Sequence, residues 1–163
     1  MEYAALTVGR VHILRVDPGE DVFLAVNRFL AETGLRQAIV LGGYGTLTSY
    51  HLHWVKHDRF PSEHVLGQGE GGIEILAMSG TVVEGEPHIH VTLSTPAGAY
   101  GGHVHEGCTA YVLCEIFFAE VAGRELRRER VPVDVPGMGA GTAIRLLFGP
   151  SSDHRSGEDD GAL

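Results

Sequence analysis

Hydrophobic and polar positions alternate along much of this chain, and a period of two is typical of β-strands. Leu6 to Val16 alternates loosely and predicts an opening strand. Gly71 to Val83 and His88 to Ser94 predict two more strands, joined by a turn at Glu84-Gly85-Glu86. Cys108 to Val121 is mostly apolar and rich in Tyr, Phe, Val and Ile, which predicts a strand at the centre of a sheet.

One segment has helical spacing instead. Val22, Val26, Phe29 and Leu30 repeat at intervals of three and four residues, which gives one apolar stripe. Asp17-Pro18-Gly19-Glu20 before them offers a capping residue, a proline for the first helical position and an acid, and Gly34 can end the helix. We therefore predict an amphipathic helix at about residues 18–33 that covers a sheet.

The composition favours a single β-rich domain. The chain has 163 residues, of which 44% are hydrophobic and 23 are glycine, about twice the usual share. Gly42-Gly43-Tyr44-Gly45 follows the apolar run Gln37–Leu41 and predicts a bend or a close backbone approach. Strand-like residues follow it rather than a Lys-Ser/Thr pair and a helix, so this sequence argues against a phosphate-binding loop.

The charge balance restricts the partners. The chain has 12 Lys and Arg against 21 Asp and Glu, a formal net charge of −9 at pH 7, and this acidity disfavours nucleic acid. The N-terminus has no basic segment followed by an apolar run, and nowhere do about eighteen uncharged apolar residues occur together. We expect a soluble, cytoplasmic protein with no membrane partner. Cys108 and Cys114 are predicted to be small buried hydrophobes.

Two histidine pairs carry the strongest chemical signal. They are His88-Ile89-His90 and His103-Val104-His105. In a strand, the first pair projects from one face while Ile89, Val91 and Leu93 project from the other. Thr95-Pro96-Ala97-Gly98 between the pairs is typical of a turn, so the segment predicts a β-hairpin.

The length of the hairpin loop decides whether the histidines share a face. A two-residue loop at Pro96-Ala97 sets His90 opposite His103 and His88 opposite His105. Opposed Cβ atoms lie about 4.5–5.5 Å apart, a separation that suits two imidazoles on one zinc ion at about 2.0–2.1 Å. A three-residue loop with a bulge would instead turn His103 to the opposite face.

Other polar residues are weaker candidates. Glu115 lies in an apolar strand, where a charge is costly unless it is paired, bound to a metal or protonated, so it is a candidate general base. Glu106 could orient an imidazole, although an exposed loop position is favoured. His51 and His53 alternate and either form a separate polar face or join the first site across the sheet; surface positions are favoured. The histidines without a motif are His12, His64 and His154.

The C-terminal part differs in composition. Arg124 to Val131 holds four arginines and two glutamates and predicts a solvated strand at an edge of the sheet. From Pro132 onward proline, glycine, serine and acids accumulate. We therefore predict a domain at 1–133, an extension rich in proline and glycine at 134–150, and a disordered acidic tail at 151–163.

With these elements in order, the chain resembles the plants-and-prokaryotes conserved (PPC) domain, in its stand-alone prokaryotic form, over about residues 8–131. The resemblance rests on Arg15-Val-Asp-Pro-Gly-Glu-Asp, Gly42-Gly-Tyr-Gly, Pro87-His-Ile-His-Val-Thr-Leu-Ser and Gly101-Gly-His-Val-His-Glu-Gly. It implies an α+β fold with a mainly antiparallel sheet and one principal packed helix, and a homotrimer.

In some prokaryotic members of that family three histidines hold a divalent metal, and the matching residues here are His88, His90 and His103. A three-histidine zinc site leaves one coordination position open, where a water or a small molecule can bind. His105 extends the usual Gly-Gly-His of the family, and a fourth ligand, a partner of a ligand or a proton carrier are all open roles for it.

Three functions follow from these patterns. The leading one is a protein that binds a divalent metal, with zinc as the first choice, and a hydrolase or lyase reaction with Glu115 or His105 is a hypothesis within it. The alternative from the family is DNA binding, but the chain has no Arg-Gly-Arg-Pro motif and is acidic. The second alternative is a metal-free trimeric scaffold whose histidines serve packing and hydrogen bonding.

Overall fold

The computed structural model of the protein describes residues 1–151, in which eight strands accompany one helix. The strands of the main sheet are β1 (Thr7–Arg15), β2 (Ala38–Val55), β3 (His64–Val83), β4 (Glu86–Thr95), β5 (Gly98–Val104) and β6 (Thr109–Ala122). The other elements are the helix α1 (Val22–Thr33) and the strands β7 (Arg124–Val135) and β8 (Gly139–Ser151).

The main sheet is antiparallel, with the strand order β1-β6-β2-β3-β4-β5. β5 also pairs with the end of β2, through Leu52 opposite Val104 and His53 opposite His103. The strands β2, β3, β4 and β5 therefore close on themselves. The expectation of a mainly antiparallel fold with one helix and an interior strand after Cys108 is confirmed.

The glycine-rich segment of β2 lies where two strands approach closely. Gly45 has a φ of 146°, and a Cβ there would come against the backbone of Leu113 and Cys114 in β6. The β2–β6 register shifts on both sides of this glycine. The predicted close approach is confirmed, because a side chain at Gly45 would separate these strands.

The helix packs on one face of the sheet. Its buried residues Val22, Ala25, Val26 and Leu30 join a core that contains Leu52, Leu93 and Phe118 from the strands. Cys108 and Cys114 are buried and free, as predicted. Because Ile89, Val91 and Leu93 of β4 belong to this core, the histidines of β4 point to the opposite face.

The predicted start of the helix at residue 18 is wrong. Asp21 is the capping residue, and its carboxylate accepts a hydrogen bond from the Leu24 amide at 2.9 Å. Pro18 and Gly19 form a turn before it, in which the Gly19 amide donates to the Ala110 carbonyl of β6. Contacts with β6 thus delay the helix by one turn. The predicted end is confirmed, since Gly34 is left-handed with a φ of 66°.

The C-terminal strands form their own antiparallel hairpin. β7 pairs with β8 from Arg124 opposite Ser151 to Val135 opposite Gly139. The prediction that the arginine-rich segment lies at an edge of the main sheet is wrong, because β7 belongs to this second sheet. Leu126 anchors it to the main domain by packing with Val83 and Val121.

β7 runs through residue 133, where the sequence predicts the domain to end, and β8 occupies most of the predicted extension. The acidic tail and His154 lie outside the described residues, apart from Ser151. Within residues 1–151 no helix has the length and apolar character needed to cross a membrane.

Candidate metal centre

The β4–β5 hairpin has the register that places its histidines together. Thr95 pairs with Gly98 around the two-residue loop Pro96-Ala97, and His90 pairs with His103. Ile89, Val91 and Leu93 alternate with the histidines of β4 and are buried. The predicted two-residue loop and the His90–His103 pair are confirmed.

The three histidines predicted from the resemblance form a compact cluster. Each of His88, His90 and His103 offers a ring nitrogen, and these atoms all lie within 4.8 Å of one another. Nε2 of His88 is 3.1 Å from Nε2 of His90. The ring of His103 meets that of His88 edge-on, with centroids 4.5 Å apart. Three nitrogen donors converge on one point above the sheet. We name this cluster the first triad.

The expectation that His88 faces His105 is wrong. The β4–β5 pairing ends at His90 and His103, and the next residues of the chain follow β2 instead. The His105 amide donates to the His51 carbonyl at 3.0 Å. His105 therefore lies on the β2 side of His103, because β5 is shared between two neighbouring strands.

This change of partner assembles a second cluster. His53, His103 and His105 also offer three ring nitrogens within 4.8 Å of one another, and Nδ1 of His53 is 2.6 Å from Nε2 of His105. His64 stacks on His53 with centroids 4.3 Å apart. We name His53, His103 and His105 the second triad; His103 belongs to both.

Burial and neighbouring positive charges lower the pKa of four of these histidines, His53, His88, His103 and His105. Burial, followed by the charges of His88, His53, His90 and His105, lowers the pKa of His103 to about 3. Burial is also the largest cause that lowers the pKa of His53, of His88 and of His105. Neutral imidazoles are the form that binds metals, so the cluster needs to lose few protons before an ion enters.

One ring nitrogen of His103, the histidine shared by both triads, is buried without a partner among the described residues. Nδ1 of His103 is inaccessible to solvent and makes no hydrogen bond among the described residues. A buried polar atom without a partner is costly and calls for an explanation such as an ion. Three imidazole nitrogen donors fit zinc and related transition metals better than magnesium or calcium, which prefer oxygen. The residues present therefore fit a bound metal.

A pocket adjoins both triads. Its volume is about 390 Å³, which is within the size range of small-molecule sites. Trp54 lines this pocket, and its indole donates a hydrogen bond to the Gly101 carbonyl of β5, two residues before His103. The histidines in its wall are His53, His90 and His103. A molecule in this pocket would contact these histidines.

The acidic candidates lie elsewhere. Glu115 accepts a hydrogen bond from the Tyr44 hydroxyl at 2.6 Å and lies opposite Arg15 in β1. The strands β2 and β3 separate its strand from β4, so the structure does not bring Glu115 to the first triad. Glu106 is exposed in a turn, and its backbone carbonyl, not its carboxylate, contacts Nδ1 of His51 at 2.8 Å.

Sequence reasoning undervalued two residues of this surface. It favoured a surface role for His53 and found no motif around His64, yet both lie in the histidine cluster. The alternation of His51 and His53 was a sequence signal for His53. The sequence held no signal for His64, because His64 meets His53 only through the β2–β3 pairing.

The comparisons agree with the fold. The chain belongs to the Plants and Prokaryotes Conserved (PCC) domain family, here also called PPC, whose pattern matches residues 3–122. A metal-containing protein from Archaeoglobus fulgidus has a similar structure, with a TM-score of 0.67 and 29% identity, over 86% of this chain and 97% of that one. A PPC protein from Pyrococcus horikoshii has a TM-score of 0.66 and 25% identity, over 89% and 99%.

Two further matches are a structure of lower sequence identity and a much longer curated protein. A protein from Bacteroides thetaiotaomicron that is proposed to bind DNA shares the fold, with a TM-score of 0.62 and 16% identity, over 85% of this chain and 96% of that one. Among curated proteins, the bifunctional protein GlmU of a Synechococcus strain is 30% identical over 124 residues, 76% of this chain. That match spans only 18% of the length of GlmU.

Proposed function

We propose that this protein binds a divalent transition metal, zinc in the first instance, through His88, His90 and His103. The observation that carries this proposal is the convergence of three ring nitrogens within 4.8 Å in the first triad. The unpartnered Nδ1 of His103 supports it. So does the metal-containing protein of Archaeoglobus, which shares the fold at 29% identity.

The site has a place for a further ligand. Three histidines leave a fourth position of a tetrahedral zinc ion open, and the adjoining pocket of about 390 Å³ gives a small molecule access to it. A zinc ion bound there would polarise such a molecule or activate a water. Trp54 and Met78 give the pocket an apolar wall beside the imidazoles. We therefore propose a small-molecule partner rather than a macromolecular one.

Elemental analysis tests the metal. Protein without an affinity tag, purified without chelator and dialysed against zinc, is compared with the His88→Ala/His90→Ala double variant. This pair belongs to the first triad alone, so the variant isolates that site. We expect zinc in the wild type and less zinc per chain in the variant. Wild-type protein that takes up no zinc would disprove the proposal.

DNA binding has less support in the structure. Arg127 of β7 pairs with Glu125 at 3.0 Å, and Arg128 donates a hydrogen bond to the Thr81 hydroxyl, so these two arginines already have partners within the protein. Binding to phosphates would show as affinity for duplex DNA that falls steeply with added salt. The homotrimer and the cytoplasmic location remain predictions, which sedimentation analysis and localisation of the protein would test.

A further inference from the structure

The second triad brings together histidines from three separate parts of the chain. His53 lies in β2, His103 in β5, and His105 follows β5 in the segment that joins it to β6. The closure of β5 onto β2 fixes all three, through the pairing of His53 with His103 and the backbone hydrogen bond between His105 and His51. Their position is set by backbone pairing rather than by flexible side chains alone.

The geometry is close to that of a chelating pair. Nδ1 of His53 and Nε2 of His105 are 2.6 Å apart. Two nitrogens on one tetrahedral zinc ion, each at about 2.0–2.1 Å, are about 3.3 Å apart. The two rings need to separate by less than about 1 Å to take an ion between them. The described residues place no lysine or arginine in hydrogen-bond contact with either ring, so no fixed cation competes for these nitrogens.

We propose that His53, His103 and His105 form a second site for a divalent transition metal, next to the first triad and sharing His103 with it. Such a chain holds two ions side by side when zinc is abundant. The two ring nitrogens of His103 serve one ion each, and the ring proton that this displaces goes to solvent. When His103 serves only the first ion, water completes the coordination of the second, which is therefore held more weakly.

This inference stands apart from the proposed function, because each triad has two histidines that the other lacks. His88 and His90 belong to the first triad alone, and His53 and His105 to the second alone. A double substitution in either pair removes one site and leaves three of the five residues in place. Different experimental results would therefore disprove each of the two proposals.

The test is a titration of metal-free protein with zinc, followed by native mass spectrometry, and a parallel titration with cobalt(II), followed by visible absorption. The variants are His53→Ala/His105→Ala and His88→Ala/His90→Ala, with His57→Ala as the matched control outside both triads. Both titrations are made above the ordinary histidine pKa of about 6.5. Circular dichroism checks the fold, and His53→Gln/His105→Gln replaces the alanine pair if that pair does not fold.

We expect two ions on the wild type and on His57→Ala, and one on each double variant. A single ion on the wild type that persists with unchanged affinity in His53→Ala/His105→Ala would disprove the second site and leave the first intact. A single ion that both double variants abolish would show one composite site and would likewise overturn the inference. No ion on the wild type would overturn both proposals.

Discussion

His53 and His103 face each other across β2 and β5, with ring centroids 4.6 Å apart. On its other side His103 is paired with His90 of β4. One histidine thus lies at the centre of a row that crosses three strands. The row exists because β5 pairs with both neighbours, so the arrangement of these histidines depends on the closure of the sheet.

The close packing of β5 against β4 leads to a first prediction. A Cβ at Gly101 would come against the Val91 carbonyl and within 3.3 Å of Thr92 Cα, both in β4. Gly101→Ala should therefore push the two strands apart and lower the free energy of unfolding by about 1–3 kcal/mol. It should also weaken zinc binding, because His103 follows two residues later. Urea unfolding and a zinc titration measure the two effects.

Gly72→Ala is the matched control for that change. Gly72 lies in β3, and a Cβ there meets no atom within 4 Å. We expect its stability to stay within about 0.5 kcal/mol of the wild type. If Gly101→Ala behaved in the same way, the β4–β5 contact would be looser than the structure shows.

Asp21 connects the helix to the histidine-bearing loop, which gives a second prediction. One carboxylate oxygen accepts from the Leu24 amide at 2.9 Å, and the other accepts from the Gly107 amide at 2.6 Å. Asp21→Ala removes the helix cap and leaves the Gly107 amide without its partner. Loss of a cap lowers the free energy of unfolding by about 0.5–2 kcal/mol, and we expect a value near the upper end, measured by urea unfolding.

Asp17→Ala distinguishes this cap from the one that the sequence suggests. Asp17 forms an ion pair with Arg15 in which both side chains are largely exposed, and such pairs add little stability. We expect a clearly smaller loss than for Asp21→Ala. Equal losses from the two substitutions would mean that Asp21 is not the dominant cap.

Local patterns predicted the parts of the fold that local forces decide. The alternation around His88 and His90 and the turn at Pro96-Ala97 lie within one hairpin, so its register could be predicted. The end of the helix at Gly34 was equally local. The start of the helix could not be predicted locally, because Asp17 and Asp21 are both acceptable capping residues. Contacts with Ala110 and Gly107 decide between them.

The second triad required knowledge of strand order. His53 and His103 meet because the end of β2 pairs with β5, and the sequence did not indicate which strand lies beside β5. The same limit explains Glu115. Its place in an apolar strand marked it as unusual, but its partners Tyr44 and Arg15 come from neighbouring strands and have no link with the histidines.

The charge of Arg128 leads to a third prediction. Arg128 donates a hydrogen bond to Thr81, which is paired with His88 across β3 and β4. Burial lowers the pKa of His88, and the positive charge of Arg128 lowers it further. The same charge repels a divalent ion at the first triad. Arg128→Gln should therefore bind zinc about threefold more tightly at low ionic strength, with a smaller gain in high salt.

Arg127→Gln controls for the change in total charge. Arg127 is the neighbouring residue and pairs with Glu125 on the exposed side of β7. Its substitution should leave the affinity for zinc unchanged in a competition titration with a chelating dye. Weaker binding in Arg128→Gln than in the wild type would show instead that the contact with Thr81 positions His88.

The buried histidines make the stability of the metal-free protein depend on pH. The pKa of His103 is lowered to about 3, chiefly by burial and then by the neighbouring histidines, whereas an unfolded histidine titrates at about 6.5. Between these values the unfolded chain binds more protons than the folded one, so the free energy of unfolding falls as the pH falls from about 6.5 toward 3. The lowered pKa values of His53, His88 and His105 act in the same direction.

Urea unfolding of metal-free protein at about pH 7.5 and about pH 5 should show this loss of stability. His103→Asn should reduce the loss by removing the most strongly shifted group. An equal loss in both proteins would mean that His103 titrates normally in the folded state.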